Sequence, residues 1–141
     1  ILEGSKEIET NVSLPLETNL DLLGGISFDK GCFIGQEVNA RIKWKGVVKR
    51  KYVPISIQSK KLSYLKLNNL DKKKIFLESK EIGEIVCLLY NNEDDLWYGI
   101  AKITLSNLYS FELDKNLEGN FLDEKIRVNF PKFMLPLPKK I

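Results

Sequence analysis

Residues 47–57 read VVKRKYVPISI, and this stretch decides the fold class. It is rich in β-branched and aromatic side chains, and apolar and polar residues mostly alternate along it. This pattern is typical of a strand with one buried face. It follows Gly46, where the helical period of the preceding residues ends. We therefore predict that a β domain begins at residue 47 and continues to residue 141.

Further short strands are predicted downstream, separated by polar turns such as residues 91–95. Gly83 is expected to form a bulge or bend, Cys87 to lie in the core, and one of Trp97 and Tyr98 to be buried. Short strands at this spacing are typical of a small antiparallel barrel or sandwich, and the proline-rich residues 131–141 predict an extended tail. The predicted strands span residues 62–67, 74–77, 81–90, 96–105, 108–113 and 125–130.

The residues before the β domain read as a mixed piece of helix and loop. A helix is predicted over residues 17–23, because leucines recur at helical spacing and two glycines follow. A second helix is predicted over residues 35–44, where aliphatic residues recur every four positions. The two sets are Leu16, Leu20 and Leu23, and then Ile34, Val38 and Ile42. The predicted fold class is therefore α+β, with a helix-loop segment (residues 1–46) followed by the β domain.

Between the two predicted helices lies the run KGCFIGQE, residues 30–37, which places Cys32 between two glycines. A cysteine just ahead of a helix N-terminus lies near roughly half a positive charge from the aligned peptide dipoles. That charge and Lys30 favour the thiolate, whereas Asp29 opposes it. Cys32 is therefore the main candidate for a functional atom. The alternative is that it fills a small pocket in a glycine turn.

The other candidate residues can each be interpreted in two ways. Gln36 and Glu37 either brace the first helical turn or hold the loop or a ligand, and Glu37 is placed to pair with Arg41. Asn19, close to Glu17, is either a helix N-cap or part of a binding site. The candidates for supporting the cysteine loop are Lys30, Gly31, Gly35, Gln36, Glu37 and Arg41.

Composition excludes several kinds of site. The 141 residues include no histidine and two cysteines, which removes His-containing metal sites and a four-thiolate cluster from this chain alone. No apolar run is long enough for a transmembrane helix, and no signal peptide pattern is present. We predict no resident metal and no membrane partner. The net charge of +3 is mild, and the basic residues 41–51 are expected to be a solvated face rather than a nucleic-acid site.

KGCFIGQE resembles the signature of the YgfZ-type folate-binding proteins. These are relatives of the glycine cleavage T-protein (aminomethyltransferase) that act in iron–sulfur protein maturation. The similarity is dense over residues 3–50, where PLETNLD, LGGISFD and KGVVKR flank the motif. The resemblance implies that residues 1–46 end a folate-binding domain and that residues 47–141 form a six-stranded antiparallel β-barrel. The chain starts at Ile1, and its one methionine is Met134, so we expect it to be the C-terminal portion of a longer protein.

The resemblance also implies a function. The implied protein is a tetrahydrofolate-dependent accessory factor for assembly or repair of iron–sulfur clusters in client proteins, with Cys32 as the key thiol. Tetrahydrofolate would bind mainly to the upstream domain, with Glu17 and Asn19 near its cavity. The partners would be iron–sulfur client or assembly proteins, in a bacterial cytoplasm or a mitochondrial matrix. Turnover of a substrate by this chain is left open.

Two other functions are compatible with the residues. An aminomethyltransferase of the T-protein class would use the same folate, although that class lacks this cysteine motif. Consumption of tetrahydrofolate with a methylamine-loaded lipoyl carrier would identify it. A small barrel with basic flanks is also typical of RNA-binding modules, which are identified by an affinity that falls steeply with salt.

Overall fold

The computed structural model describes residues 8, 12–32, 34–59, 62, 74–108, 117–122 and 124–135. One helix, α1 (Gln36–Lys45), precedes the strands of a single sheet. Two 3-10 turns follow β4 and β6, at Leu105–Asn107 and Lys132–Met134. The strands are β1 (Arg50–Ile57), β2 (Lys74–Leu77), β3 (Lys80–Asn91), β4 (Leu96–Thr104), β5 (Leu117–Phe121) and β6 (Glu124–Val128).

The strands close into an antiparallel barrel in the order β1-β4-β3-β2-β5-β6. This confirms the expected six-stranded barrel and the α+β class. The most extensive pairings join β4 to both of its neighbours, with residues 50–57 of β1 opposite 97–104 and residues 83–91 of β3 opposite 96–103. The described strands therefore form one closed sheet, which is the barrel wall.

Alternate residues of the strands fill the barrel interior. On β1, Val53, Ile55 and Ile57 are almost completely buried and belong to one continuous apolar core. Each such side chain contributes about 1.5–3 kcal/mol when it leaves water, so this core is the main source of stability. Trp97 lies in it, whereas the neighbouring Tyr98 is exposed, which confirms that the two rings lie on opposite faces.

Two β-bulges in β3 change the alternation of its side chains. The pairing with β2 shifts by one residue at Ile82, beside Gly83, where a bulge or bend was predicted. The pairing with β4 shifts between Ile85 and Cys87, so that Val86 is the extra residue. Ile85 is buried, but Cys87 beyond the bulge is partly exposed. The prediction of a core cysteine is therefore wrong, because the bulge moves Cys87 off the interior face.

Residues 17–23 form a series of turns rather than the predicted helix. Asn19 has a φ of 63°, in the left-handed region, and this interrupts any right-handed helix. The backbone N–H of Leu23 donates to the carbonyl of Asn19 at 2.9 Å, and that of Gly25 donates to Leu20 at 2.7 Å. The leucines of residues 17–23 are therefore spaced as in a helix, although the backbone of this segment is not helical.

Most of the other predicted helices and strands are confirmed, and a few differ from the prediction. The predicted helix at 35–44 and the predicted strands at 74–77, 81–90, 96–105 and 125–130 are confirmed to within a few residues. Strand β5 was not predicted, since Gly and Asn interrupt its pattern. The predicted strands at 62–67 and 108–113 lie almost wholly outside the described residues. The predicted extended tail instead begins with a 3-10 turn whose Met134 is buried against the core.

Candidate functional site

The turns of residues 13–21 attach to the barrel through β1. The backbone N–H of Tyr52 donates to the carbonyl of Glu17 at 2.8 Å, and Nδ2 of Asn19 donates to the carbonyl of Tyr52 at 2.7 Å. Two residues on, the carbonyl of Pro54 accepts from the N–H of Asn129, beyond β6. Backbone groups two residues apart point to the same edge of a strand. The turn segment therefore continues the ladder of β1 where β6 leaves it.

Two ion pairs reinforce this attachment. Nε–H of Arg50 donates to Oε1 of Glu17 at 3.1 Å, and Nζ of Lys51 lies 3.7 Å from Oδ1 of Asp21. The Lys51 side chain is only 5% exposed. Burial lowers the pKa of Lys51 below its usual 10.5, and the negative charge of Asp21 opposes that shift. We term residues 17–21 together with residues 50–52 the clasp.

The expectation that the basic residues 41–51 form a solvated face is wrong for Lys51, which is buried in the clasp. A signal for this burial exists in the sequence. Lys51 falls on the strand face of Val53, Ile55 and Ile57, so period-two alternation places a lysine toward the barrel interior. Such a lysine requires a carboxylate partner. Nothing local identifies Asp21 as that partner, since it lies 30 residues earlier in the chain.

Glu17 and Asn19 line two different cavities. The Glu17 cavity has a volume of about 530 Å³, and the Asn19 cavity has a volume of about 500 Å³. Oε2 of Glu17 and Oδ1 of Asn19 are both buried, and no hydrogen-bond partner reaches either within the described residues. The Glu17 cavity is lined by Leu14, Leu16, Glu17, Ile42, Val47, Val48, Lys49, Arg50 and Thr104.

The Asn19 cavity is mainly apolar. It lies over the outer sides of β1 and β4 and is bordered by the turn segment and the residues after β6. Its lining residues are Asn19, Leu23, Tyr52, Val53, Pro54, Ile100, Pro131, Phe133 and Met134. Glu17 and Asn19, the two residues predicted to bind a cofactor, thus lie in the same turn segment but line different cavities. Cys32 lines neither cavity.

The cysteine loop lies on the surface. Cys32 is an exposed free thiol, and Lys30 and Gly31 beside it are also exposed. Gly35 precedes α1 with a φ of 84°, a conformation that side-chain-bearing residues adopt only with strain. Phe33 lies outside the described residues. The loop therefore presents the thiol to solvent four residues ahead of the first residue of α1.

Residues at the start of α1 support the helix. Arg41 and Glu37 form the predicted pair, with Nη2 3.5 Å from Oε1, and both side chains are largely exposed. A pair this exposed contributes a few tenths of a kcal/mol. Gln36 is half-buried at the first helical position. These contacts favour the reading in which Glu37 and Arg41 brace the helix.

Within the described part of the chain, no three Cys, Asp or Glu side chains are grouped so as to hold a metal ion. An iron or cluster bound at Cys32 therefore needs ligands beyond these residues. None of the helices in the described ranges is long and apolar enough to cross a bilayer.

Replacing Gly35 by valine is expected to disturb the cysteine loop, whereas replacing Gly31 by valine is not. The positive φ of Gly35 makes any side chain there unfavourable by about 1–2 kcal/mol. Gly31 has no such φ, and an added Cβ would meet no atom within 4 Å. Thermal unfolding of both variants measures the difference, and equal melting temperatures would contradict it.

Cys32 is expected to react with iodoacetamide much faster than Cys87 in the folded protein. The Cys32 side chain is exposed, and that of Cys87 is only partly so, on the outside of β3. Peptide mass spectrometry over a time course separates the two rates, and reaction in denaturant supplies the control in which they converge. Similar native rates would show that the loop shields its thiol.

Comparison with known proteins finds relatives among curated proteins, while no protein-family model matches the chain. The mitochondrial iron–sulfur cluster assembly factor IBA57 homologue of Neurospora crassa is 48% identical over 54 residues, covering 38% of this chain and 12% of the relative. Human IBA57 is 45% identical over 53 residues, covering 38% and 15%. The Phaeosphaeria nodorum homologue is 29% identical over 140 residues, covering 86% and 32%.

The chain is similar to the IBA57 proteins. This confirms the resemblance drawn from the cysteine motif. The Phaeosphaeria nodorum IBA57 alignment covers so much of the chain that it must reach both the motif segment and the barrel. In these alignments the chain spans 12–32% of each IBA57 relative. The names of the relatives place them in mitochondria, which agrees with the mitochondrial one of the two predicted locations.

Proposed function

We propose that this chain is part of a tetrahydrofolate-dependent accessory factor for the assembly or repair of iron–sulfur clusters, with Cys32 as its working thiol. The observation that carries the proposal is the exposed, free Cys32 in the loop before α1. The names of the IBA57 relatives, as iron–sulfur cluster assembly factors, support it. The partners would be the assembly proteins or clients that exchange a cluster with this thiol.

The chemistry of a single thiol suits a transient role. Iron–sulfur clusters are held by four ligands, most often cysteine thiolates. Cys32 supplies one ligand, and the other cysteine, Cys87, lies on the barrel wall. A partner must therefore provide the remaining ligands. A cluster held here by one bond is easily passed on, and the same thiol can exchange with a partner disulfide.

Tetrahydrofolate, a carrier of one-carbon units, is compatible with the Glu17 cavity. Oε2 of Glu17 is a buried acceptor that no donor of the described residues reaches, and the pterin ring of the folate is rich in N–H donors. Lys49 and Arg50 line the same cavity, and their positive charge would suit the negative charge of a folate. Ile42 and its apolar neighbours would contact the rings. Asn19 would contribute through its bond to Tyr52, which holds the turn that carries Glu17.

Complementation tests the proposal. The gene that contains this segment is deleted in its own or a close host, and the full-length protein is restored as wild type, Cys32→Ala or Cys87→Ala. We expect wild type and Cys87→Ala to restore the activity of iron–sulfur enzymes in extract. We expect Cys32→Ala to reduce the restored enzyme activity about tenfold or more, as for loss of an essential nucleophile or ligand.

The alternative outcomes are distinct. Full rescue by Cys32→Ala would show that the motif is a structural turn and that function lies in folate binding. Iron–sulfur enzymes unaffected by the deletion itself would contradict the maturation role. Tetrahydrofolate consumption with a methylamine-loaded lipoyl carrier would then test the aminomethyltransferase alternative.

A further inference from the structure

Helix α1 turns aliphatic side chains toward solvent. Ile34, just before the helix, is fully exposed, and Val38 in the first turn of the helix is 56% exposed. Asn39 is half-buried on the other side, where Nζ of Lys43 lies 3.7 Å from the centre of the Phe28 ring. No residue of α1 is buried. A helix packed on its own domain shows the reverse arrangement, with its apolar stripe inward.

The same outward face is basic. Arg41 follows Val38 by three residues and Lys45 follows Arg41 by four, so all three lie on one side of the helix. Trp44, also strongly exposed, borders them. Residues 28–50 contain six basic and two acidic side chains, a net charge of +4. Of the basic side chains, Arg41 and Lys45 lie on this face, whereas Lys43 lies over Phe28 and Arg50 pairs with Glu17. We term Ile34, Val38, Arg41, Trp44 and Lys45 the α1 face.

We infer that the α1 face is the docking surface for an acidic patch on the protein that shares an iron–sulfur cluster with Cys32. The inference rests on the proposed function. The cluster partner must lie against Cys32, and the four residues from Cys32 to Gln36 span at most about 14 Å. A specific interface covers about 800 Å² on each side. A partner placed on the thiol therefore also covers the start of α1.

The composition of the α1 face agrees with a protein partner. Specific interfaces combine exposed apolar and aromatic residues at the centre with charged residues, arginine above all, around them. Ile34 and Val38 supply an apolar centre, and Arg41 and Lys45 supply charge that steers an acidic surface. Nucleic acid fits less well, because its phosphates gain nothing from aliphatic side chains.

The test uses the full-length protein and purified iron–sulfur carrier proteins of the same organism in their cluster-loaded form. Trp44 emission follows binding, because docking would remove this exposed ring from water. We expect Val38→Asp and Arg41→Glu each to raise the Kd about tenfold or more. Leu122→Asp is the matched control, since Leu122 is 47% exposed in the turn between β5 and β6. It should leave the Kd within about twofold.

The outcomes separate this inference from the proposed function. An unchanged Kd in Val38→Asp, or no carrier binding at all, would overturn the docking surface. A melting temperature several degrees lower in full-length Val38→Asp would overturn it too, since the face would then pack inside the protein. Binding of RNA with steep salt dependence in place of the carriers would replace it with a nucleic-acid surface.

Cys32→Ser supplies the second arm. It should abolish cluster transfer from the carrier while the cluster-free carrier still binds, because the α1 face is intact. If Cys32→Ser stops transfer and Val38→Asp leaves binding unchanged, the docking surface alone is wrong. If Cys32→Ser transfers clusters normally, the proposed function is wrong as well.

Discussion

Gly99→Ala is expected to lower the free energy of unfolding by roughly 3 kcal/mol or more, and the melting temperature by about 10 °C. Gly99 lies in β4 between Ile55 of β1 and Leu88 of β3. An added Cβ would lie 2.7 Å from Cδ2 of Leu88 and closer still to the carbonyl oxygen of Cys87. The backbone of Cys87 cannot retreat without opening the β3–β4 ladder, the most extensive pairing in the barrel.

Gly31→Ala is the matched control for this substitution. Its added Cβ would contact nothing within 4 Å, so the unfolding free energy should change by less than about 0.5 kcal/mol. Urea titration followed by the fluorescence of the buried Trp97 measures both variants. A Gly99→Ala protein as stable as Gly31→Ala would show that β3 and β4 part easily at this point, contrary to the packing described.

Asp21→Ala should lower the free energy of unfolding by roughly 3 kcal/mol, because it leaves the Lys51 ammonium buried without a counter-charge. The estimate is at the low end for a broken buried pair, since Asp21 retains 14% exposure. The double variant Asp21→Leu with Lys51→Met should recover most of the loss, because apolar residues of similar volume avoid desolvation of charges.

A surface pair provides the control for the clasp. Arg127 and Glu118 lie 3.6 Å apart with more than half of each side chain exposed, so Arg127→Ala should change stability by less than about 1 kcal/mol. If Asp21→Ala changes stability no more than Arg127→Ala does, the clasp pair is a surface contact. If the double variant is no better than Asp21→Ala, the loss comes from packing and not from an unpaired charge.

The clasp pair also predicts a dependence on pH. The pKa of Lys51 is lowered in the folded protein, mainly by burial, so between that pKa and 10.5 the unfolded chain binds more protons. The contribution of Lys51 to the free energy of unfolding therefore rises with pH between its folded pKa and 10.5. Below that interval the full cost of burying the Lys51 charge is present. The stability of wild type relative to Lys51→Met should rise as pH approaches 10.5. In Asp21→Ala the rise should begin at lower pH, because the carboxylate that opposes the shift is gone.

Local patterns were sufficient for α1 and for most of the strands. A helix such as α1 and a strand such as β4 can be predicted from the spacing of apolar side chains within about ten residues. The exposed loop follows from the glycines around Cys32 and from the charged and polar residues near them. The closed form of the sheet was expected from the family resemblance, since spacing alone left barrel and sandwich as alternatives.

Long-range contacts decided the rest. Asn19 leaves helical geometry because its amide and the neighbouring carbonyl of Glu17 meet Tyr52, 33 residues away from Asn19. Cys87 faces outward because a bulge in its pairing with β4 shifts the alternation by one residue. Ile34 and Val38 are exposed, although their four-residue spacing with the half-buried Ile42 suits a core. Each of these features depends on which distant backbone or side chain is met in the folded barrel. Such a contact can outweigh local preferences of a few tenths to about 1 kcal/mol per residue.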